Sequence, residues 1–120
     1  MAMFKITQTM LDKSIQDANK EICRFLLEHD FLDYSKLTEK VYLPCKLQAY
    51  VGCATSQPSK ISCYKTTRGD KRMWIKGLKD IAKAGDILNL KVYDNGGNIK
   101  SLIVQNLTMN YGENFNINSK

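Results

Sequence analysis

The residues best suited to chemistry form one short basic segment, Lys65-Thr66-Thr67-Arg68-Gly69-Asp70-Lys71-Arg72. Each arginine can make a bidentate contact with the O6 and N7 atoms of guanine. Lysines and threonine hydroxyls suit phosphate oxygens, and a glycine amide can approach the backbone of a nucleic acid closely. Asp70 can accept from a cytosine amino group or hold an arginine in place; neutralising Arg72 or capping a turn explains it equally well. The segment has the composition of a contact with duplex DNA.

The positive charge of the chain is concentrated around this segment. The 120 residues carry 18 Lys/Arg and 12 Asp/Glu, a formal net charge of +6. Residues 57–84 contain eight basic and two acidic residues and hold the whole excess, whereas residues 1–56 and 85–120 are each neutral. A focused patch is typical of a surface that binds a polyanion, although charge of this size also serves solubility alone. Lys60 and Lys76 flank the segment and are predicted to contact phosphates.

Residue types that support catalysis or metal binding are sparse. His29 is the only histidine, so a nucleophile would lack its usual base. No Gly-rich phosphate loop or carboxylate cluster in a strand context is present. The sequence predicts neither an enzyme nor a site for a metal or cofactor. The four cysteines form no CxxC pair and are predicted to be reduced, mostly buried thiols: Cys23, Cys45, Cys53 and Cys63.

Length and composition predict one ordinary folded domain. The hydrophobic fraction is 43% and the charged fraction 25%. No apolar run approaches the ~18 residues of a membrane span, and the first residues do not have the pattern of a signal peptide. We therefore expect a cytoplasmic protein without a membrane partner.

Apolar periodicity predicts the elements that position the basic segment. Spacings of three and four from Leu11 to Leu26 indicate one long amphipathic helix over about 10–28. Short β-like segments follow, and Asp94-Asn95-Gly96-Gly97 has the composition of a hairpin turn. Strands are expected near 41–43, 47–53, 60–64, 73–75, 86–93 and 99–104, with a loop over 54–59 and a short helix between Gly77 and Gly85.

The pattern predicts an α+β, mostly β chain of about six to seven short strands with one long N-terminal helix and one short helix. A single domain is expected over 1–108, with a barrel over about 30–106, and residues 109–120 are expected to be a polar tail or linker. Aromatic residues in the predicted strands favour core or half-buried positions, which weighs mildly against a single-strand binder: Tyr42, Tyr50, Tyr64 and Trp74.

A second polar segment, residues 33–40, also joins a predicted helix to a predicted strand. Taken alone it is typical of an ordinary exposed loop. Its candidate contact residues combine one aromatic ring with hydroxyls and lysines: Tyr34, Ser35, Lys36, Thr38 and Lys40.

Residues 65–75 resemble the Lys-Thr-Arg-x-Glu/Asp-Lys-Arg stretch of EcoRII-type N-terminal DNA-recognition domains. Val41-Tyr42-Leu43-Pro44 is similar to the Tyr-Ile-Pro strand end of that family. Gly85-Asp86-Ile87-Leu88-Asn89-Leu90 is similar to a strand shared with plant-type DNA-binding pseudobarrels. The predicted long helix is more similar to recognition modules of LlaJI-type restriction systems. The resemblance covers roughly residues 30–106.

The resemblance implies a DNA-binding pseudobarrel that clasps the major groove between two arms, residues 33–40 and 65–72. Four residues of the second arm match positions that contact bases and phosphates in the family: Arg68, Asp70, Lys71 and Arg72. Lys65, Thr66 and Thr67 precede them, with one threonine more than the family pattern has. The implied partners are double-stranded DNA and a nuclease or motor domain or subunit.

The leading hypothesis is sequence-specific binding of duplex DNA as the target-recognition domain of a restriction system. An RNA-binding barrel is an alternative, since the same basic patch would serve it. A barrel that binds an acidic protein or a small ligand is another, and an enzyme is a fourth. A-form RNA hides its major groove from side chains, so competition between DNA and RNA duplexes separates the first two.

Overall fold

Strands whose side chains alternate between buried and exposed positions build most of the fold. The computed structural model describes residues 2–94 and 100–108. It is a mixed α+β structure, mostly of strands, as the sequence predicts. The strands are β1 (Ala2–Lys5), β2 (Gln16–Asp17), β3 (Val41–Gln48), β4 (Gln57–Lys65), β5 (Lys71–Ile75), β6 (Ile87–Asp94) and β7 (Lys100–Asn106). The helices are α1 (Gln8–Lys13) and α2 (Lys20–Glu28), with 3-10 turns at Tyr34–Lys36 and Leu78–Asp80.

The seven strands form one sheet in the order β1-β6-β7-β3-β4-β5-β2. Only β3 and β7 pair in parallel among these strands. Laid flat, the sheet would separate its edge strands β1 and β2 by about 29 Å. Residues 6–15 join those two edges, and α1 within them advances only about 9 Å. The sheet is accordingly curled into a half-barrel.

The core lies inside this curl. Alternate residues of β3, including Leu43 and Leu47, point inward and are buried, as do Ile61 of β4 and Met73 of β5. Helix α2 covers the core with one apolar face, formed by Ile22, Phe25 and Leu26. Asn19 begins α2, because its side-chain Oδ1 accepts a hydrogen bond of 2.8 Å from the Ile22 amide.

The prediction of one long helix over 10–28 is wrong, because the segment forms two helices with a strand between them. Ser14 ends α1 in the left-handed conformation, at a φ of 55°. Gln16 and Asp17 then pair with Met73 and Arg72 of β5. The apolar periodicity continues across the break because Ala18 between the helices is also buried.

Strand β3 continues through Pro44, which the sequence had suggested as its end. The Lys60 carbonyl opposite Pro44 accepts from the Lys76 amide of the β5 side, at 3.0 Å. Pro44 therefore occupies a non-hydrogen-bonded position of the β3–β4 ladder, where its missing N–H is not needed. The strand expected over 47–53 is instead the end of β3 followed by turns, and β4 already begins at Gln57, within the expected loop.

The remaining predicted elements agree with the structure in kind. Strands β6 and β7 pair as expected, from Leu88 opposite Asn106 to Asp94 opposite Lys100. The short helix expected after Gly77 is the 3-10 turn Leu78–Asp80. Residues 95–97 of the expected hairpin turn and the expected tail 109–120 lie outside the described residues.

Candidate nucleic-acid interface

The basic segment is the turn of the β4–β5 hairpin. Lys65 pairs with Lys71, and the Thr66 amide donates to the Asp70 carbonyl at 2.9 Å. The Gly69 amide donates to the Thr66 carbonyl at 2.9 Å, and the Thr66 hydroxyl accepts from the Asp70 amide at 3.0 Å. Gly69 has a φ of +91°, which an L side chain rarely adopts. The pattern is a three-residue turn with a glycine bulge, a common way to join two antiparallel strands.

Asp70 lies between the two arginines of this turn. Its Oδ2 atom is 3.6 Å from a terminal nitrogen of Arg68 and 3.6 Å from one of Arg72. The Arg68 side chain is 84% exposed, whereas that of Arg72 is 26% exposed. Arg72 Nε also lies 3.1 Å from Oδ1 of Asp17 in β2. Asp70 therefore lies within ion-pair distance of both arginines, and its contact with Arg72 fits the neutralising role that the sequence left open.

The second segment is fastened to this hairpin by Tyr34. The Tyr34 ring is buried, and its hydroxyl donates to the Arg72 carbonyl at 2.9 Å. Burial raises the pKa of Tyr34 well above its ordinary value. Tyr34 was predicted as a contact residue, but its side chain belongs to the core and is not available at the surface. It positions the 3-10 turn Tyr34–Lys36 beside β5.

The other candidate residues of the second segment lie at the surface, outside the buried Tyr34 ring. Asp33 begins the 3-10 turn, and its Oδ1 accepts from the Ser35 amide at 3.0 Å and from the Ser35 hydroxyl at 2.6 Å. These bonds lower the pKa of Asp33. Ser35, Lys36, Thr38 and Lys40 are exposed.

The predicted site residues fall into two groups. The structure brings the turn residues 65–72 and the 3-10 turn Tyr34–Lys36 together at one end of β5. Thr67, Arg68 and Lys71 are exposed there, and Lys65 and Thr66 are half-buried. Lys60 and Lys76 are also exposed but stand at the other end of the hairpin. Lys60 and Lys65 are five positions apart along β4, which corresponds to about 17 Å.

The outer face of the sheet carries aromatic residues, and one of them is more exposed than predicted. Tyr42 is 54% exposed, so its predicted core or half-buried position is wrong. Tyr64 and Trp74 are half-buried, as predicted, with Trp74 packed partly against the core. Tyr50 lies in the turn after β3 and not in a strand. The alternation of Tyr42 with inward Leu43 was the signal that could have placed it on the outer face.

The ammonium groups of two lysines lie close to two of these aromatic rings. Lys60 Nζ is 4.6 Å from the centre of the Tyr42 ring, and Lys40 Nζ is 5.2 Å from that of Tyr64. Both distances are within the range of a cation–π interaction. The outer face beside the hairpin is therefore both aromatic and basic.

The four cysteines are free thiols, but the prediction that most are buried holds for only two of them, Cys45 and Cys63. Burial raises the pKa of Cys45 to about 11 and that of Cys63 to about 11. Cys53 is half-buried, and a hydrogen bond with Thr55 lowers its pKa. Within residues 2–94 and 100–108, no three His, Cys, Asp or Glu side chains gather into a metal-binding group.

Two further findings concern the chain as a whole. Among the residues that the structure describes, no helix is long and apolar enough to cross a membrane. Comparison with protein-family models, with curated proteins and with solved structures gives no match to this chain.

Proposed function

We propose that this chain binds duplex DNA sequence-specifically by placing the β4–β5 hairpin in the major groove. The observation that carries the proposal is the hydrogen-bonded turn that presents an exposed Arg68 beside the Asp70 carboxylate. A two-stranded β-ribbon fits the major groove, which is about 12 Å wide. An arginine oriented by a carboxylate presents its remaining N–H groups in a fixed direction, as bidentate recognition of guanine requires.

The contacts around the turn support different roles for its residues. Arg72 is held by Asp17 and Asp70, so we assign it the role of anchoring the turn in addition to any base contact. Lys71 and Thr67 are exposed, and in this proposal they contact phosphates beside Arg68. Asp70 repels phosphate wherever the hairpin sits loosely, which penalises non-specific complexes.

The 3-10 turn Tyr34–Lys36 supplies the second arm in this proposal. The hydrogen bond from Tyr34 to Arg72 fixes it next to the hairpin, and Ser35 and Lys36 face solvent there. Two arms joined in this way would contact the backbone on both sides of the base that Arg68 reads. Lys60 and Lys76, farther along the hairpin, would contact phosphates at a distance from that base.

The biological setting that we propose is a restriction system in the cytoplasm. It rests on the resemblance of residues 65–75 to EcoRII-type recognition domains, whose pseudobarrel has two arms. The curled seven-stranded sheet is compatible with such a pseudobarrel. In this setting a nuclease or motor domain or subunit would cut or translocate the DNA, and this chain would select the site.

Selection of bound sites from a pool of random duplexes tests the proposal. We expect a defined motif that contains a guanine, and Arg68→Ala should weaken binding to that motif by about 1–3 kcal/mol. Arg24→Ala, which removes an exposed arginine from α2, is the matched control and should leave specificity unchanged. A pool that stays random after selection, or equal losses for both variants, would contradict base recognition by Arg68.

A further inference from the structure

The outer face of β3, β4 and β5 has an unusual composition for a solvent-exposed sheet surface. Its outward positions are Tyr42, Pro44, Lys46 and Gln48 in β3, Pro58, Lys60, Ser62 and Tyr64 in β4, and Arg72 and Trp74 in β5. Three of these ten residues are aromatic, three are basic, and none is acidic. Arg72 is paired with Asp17 and Asp70, so the positive charge offered to a polyanion comes from Lys46 and Lys60. A merely solvated face usually mixes charges of both signs, so this face is complementary to a polyanion that also offers flat apolar surfaces.

The strand register places the aromatic residues next to one another. Tyr42 pairs with Ser62, and Ser62 pairs with Trp74, so Tyr42 and Trp74 flank a small residue across two strand spacings. That separation is about 10 Å. Tyr64 lies on the same face two residues along β4 from Ser62, in register with Arg72. The three aromatic residues thus lie on one face of adjacent strands, with Tyr42 exposed and with Tyr64 and Trp74 half-buried.

Lysine ammonium groups lie over two of the three rings, those of Tyr42 and Tyr64. Lys60 Nζ lies 4.6 Å from the Tyr42 ring centre, and Lys40 Nζ lies 5.2 Å from the Tyr64 ring centre. A ring for a base and a nearby ammonium for its phosphate are the two elements of single-strand binding surfaces. A duplex hides the faces of its bases, so such a platform selects unpaired nucleotides.

We propose that this outer face, called here the aromatic platform (Tyr42, Tyr64 and Trp74), binds single-stranded DNA by stacking unpaired bases. The choice of DNA over RNA rests on the duplex function proposed above, because the hairpin that carries Arg68 continues directly into the platform. The proposal that unpaired bases stack on this face rests only on the residues of the aromatic platform. A strand on it would run across β3 to β5, with its phosphates near Lys40 and Lys60.

Trp74 is the only tryptophan of the chain, so its fluorescence reports directly on the platform. Titration with an oligo(dT) of about 12 nucleotides, within the site sizes of single-strand binders, should quench the emission of Trp74. The affinity should fall as salt rises, because phosphate contacts release counterions. Polyglutamate carries similar charge without bases and should quench much less.

Tyr42→Ala is the decisive variant, because Tyr42 is exposed and its loss leaves both the core and the Trp74 reporter in place. One lost stacking contact should weaken oligo(dT) binding about 5- to 150-fold. Leu27→Ala on α2 removes a side chain of similar exposure, 50%, and should leave the affinity unchanged. Circular dichroism checks that both variants are folded.

The outcomes separate this inference from the duplex proposal. Unchanged Trp74 emission with oligo(dT), equal affinities of Tyr42→Ala and Leu27→Ala, or equal quenching by polyglutamate would each overturn the platform. Tighter binding of oligo(rU) than of oligo(dT) would overturn the assignment to DNA. Arg68→Ala should reduce duplex binding and leave oligo(dT) binding within twofold, so either proposal can fail while the other stands.

Discussion

At the scale of single residues, the hairpin depends on contacts between groups of opposite charge and on one backbone conformation. Asp70 lies 3.6 Å from both Arg68 and Arg72, and Gly69 supplies the positive φ of the turn. The sequence contained both features, since a glycine followed by an acid between two arginines is visible in it. It did not reveal that Asp17 is a partner of Arg72, because Asp17 is distant in sequence and reaches Arg72 only through the pairing of β2 with β5.

The buried thiol of Cys63 predicts how stability changes with alkaline pH. Burial raises its folded-state pKa to about 11 from an ordinary value of 9.0. The folded state therefore holds the thiol proton more tightly than the unfolded chain does. The stability from this group is complete below pH 9.0 and is lost as the pH rises through about 11. Within that window, each tenfold fall in proton concentration costs up to about 1.4 kcal/mol.

Urea unfolding across this window measures the effect. Cys63→Ala removes the titrating group, so its free energy of unfolding should fall less steeply with pH than that of the unmodified chain. Cys53→Ala is the control, because the pKa of Cys53 is lowered and its removal leaves the alkaline loss in place. Identical pH profiles for the unmodified chain and Cys63→Ala would show that Cys63 does not contribute to the loss.

At the scale of elements, the main difference between the predicted and the observed structure is the break between α1 and α2. The spacing of apolar residues predicts helix on both sides of Ser14 and carries no sign of an interruption. The interruption comes from pairing, because Gln16 and Asp17 complete the sheet beside β5. Long-range pairing of this kind outweighs local propensity, and one sequence without its contacts does not reveal it. By contrast, β6 and β7 were predictable, because their alternation is local.

The left-handed conformation of Ser14 gives a prediction for this break. At a φ of 55° a side chain is disfavoured and glycine is not. Ser14→Gly should therefore raise the free energy of unfolding, by about 1 kcal/mol or less once the added freedom of the unfolded chain is included. Ser14→Val should lower it, because a β-branched residue fits this conformation poorly.

Urea unfolding of the two variants checks this. Thr9→Gly, in the first turn of α1, is the matched control and should be destabilising by up to about 1 kcal/mol, because glycine loses more backbone freedom on folding than other residues. If Ser14→Gly destabilised the chain as much as Thr9→Gly, Ser14 would not be in the left-handed conformation.

At the scale of the whole molecule, the candidate interface depends on which neighbouring strands carry the basic and the aromatic residues. The sequence located the positive excess in residues 57–84; the fold places five of the eight basic residues in β4, β5 and their turn, and Lys76, Lys79 and Lys83 follow β5. It did not show that Tyr42 of β3 joins them, because neighbouring strands are a property of the topology. Likewise, Tyr34 looked like a surface contact and is instead the core residue that ties the two segments together.

The charge distribution predicts how duplex binding depends on salt. Each phosphate contact contributes about −0.9 to the slope of log affinity against log salt concentration. Lys71→Ala should therefore make that slope shallower by about one while weakening specific and random duplexes alike. Lys5→Ala is the control, since Lys5 is exposed on β1, five strands away from β5 in the sheet order. Equal slopes for the two variants would show that Lys71 does not contact a phosphate of the duplex.

The pairing of strands that are distant in sequence also affects how this chain folds. Ala2 pairs with Leu90, and Cys45 pairs in parallel with Leu102, so the sheet closes only after loops of several dozen residues have formed. Chains dominated by such contacts fold in milliseconds to seconds, whereas helical bundles fold in microseconds to milliseconds. Until β1 arrives, the edge of β6 has unpaired backbone groups that another chain can occupy. The yield of refolding should consequently fall as protein concentration rises, because a slow closure competes with association between molecules.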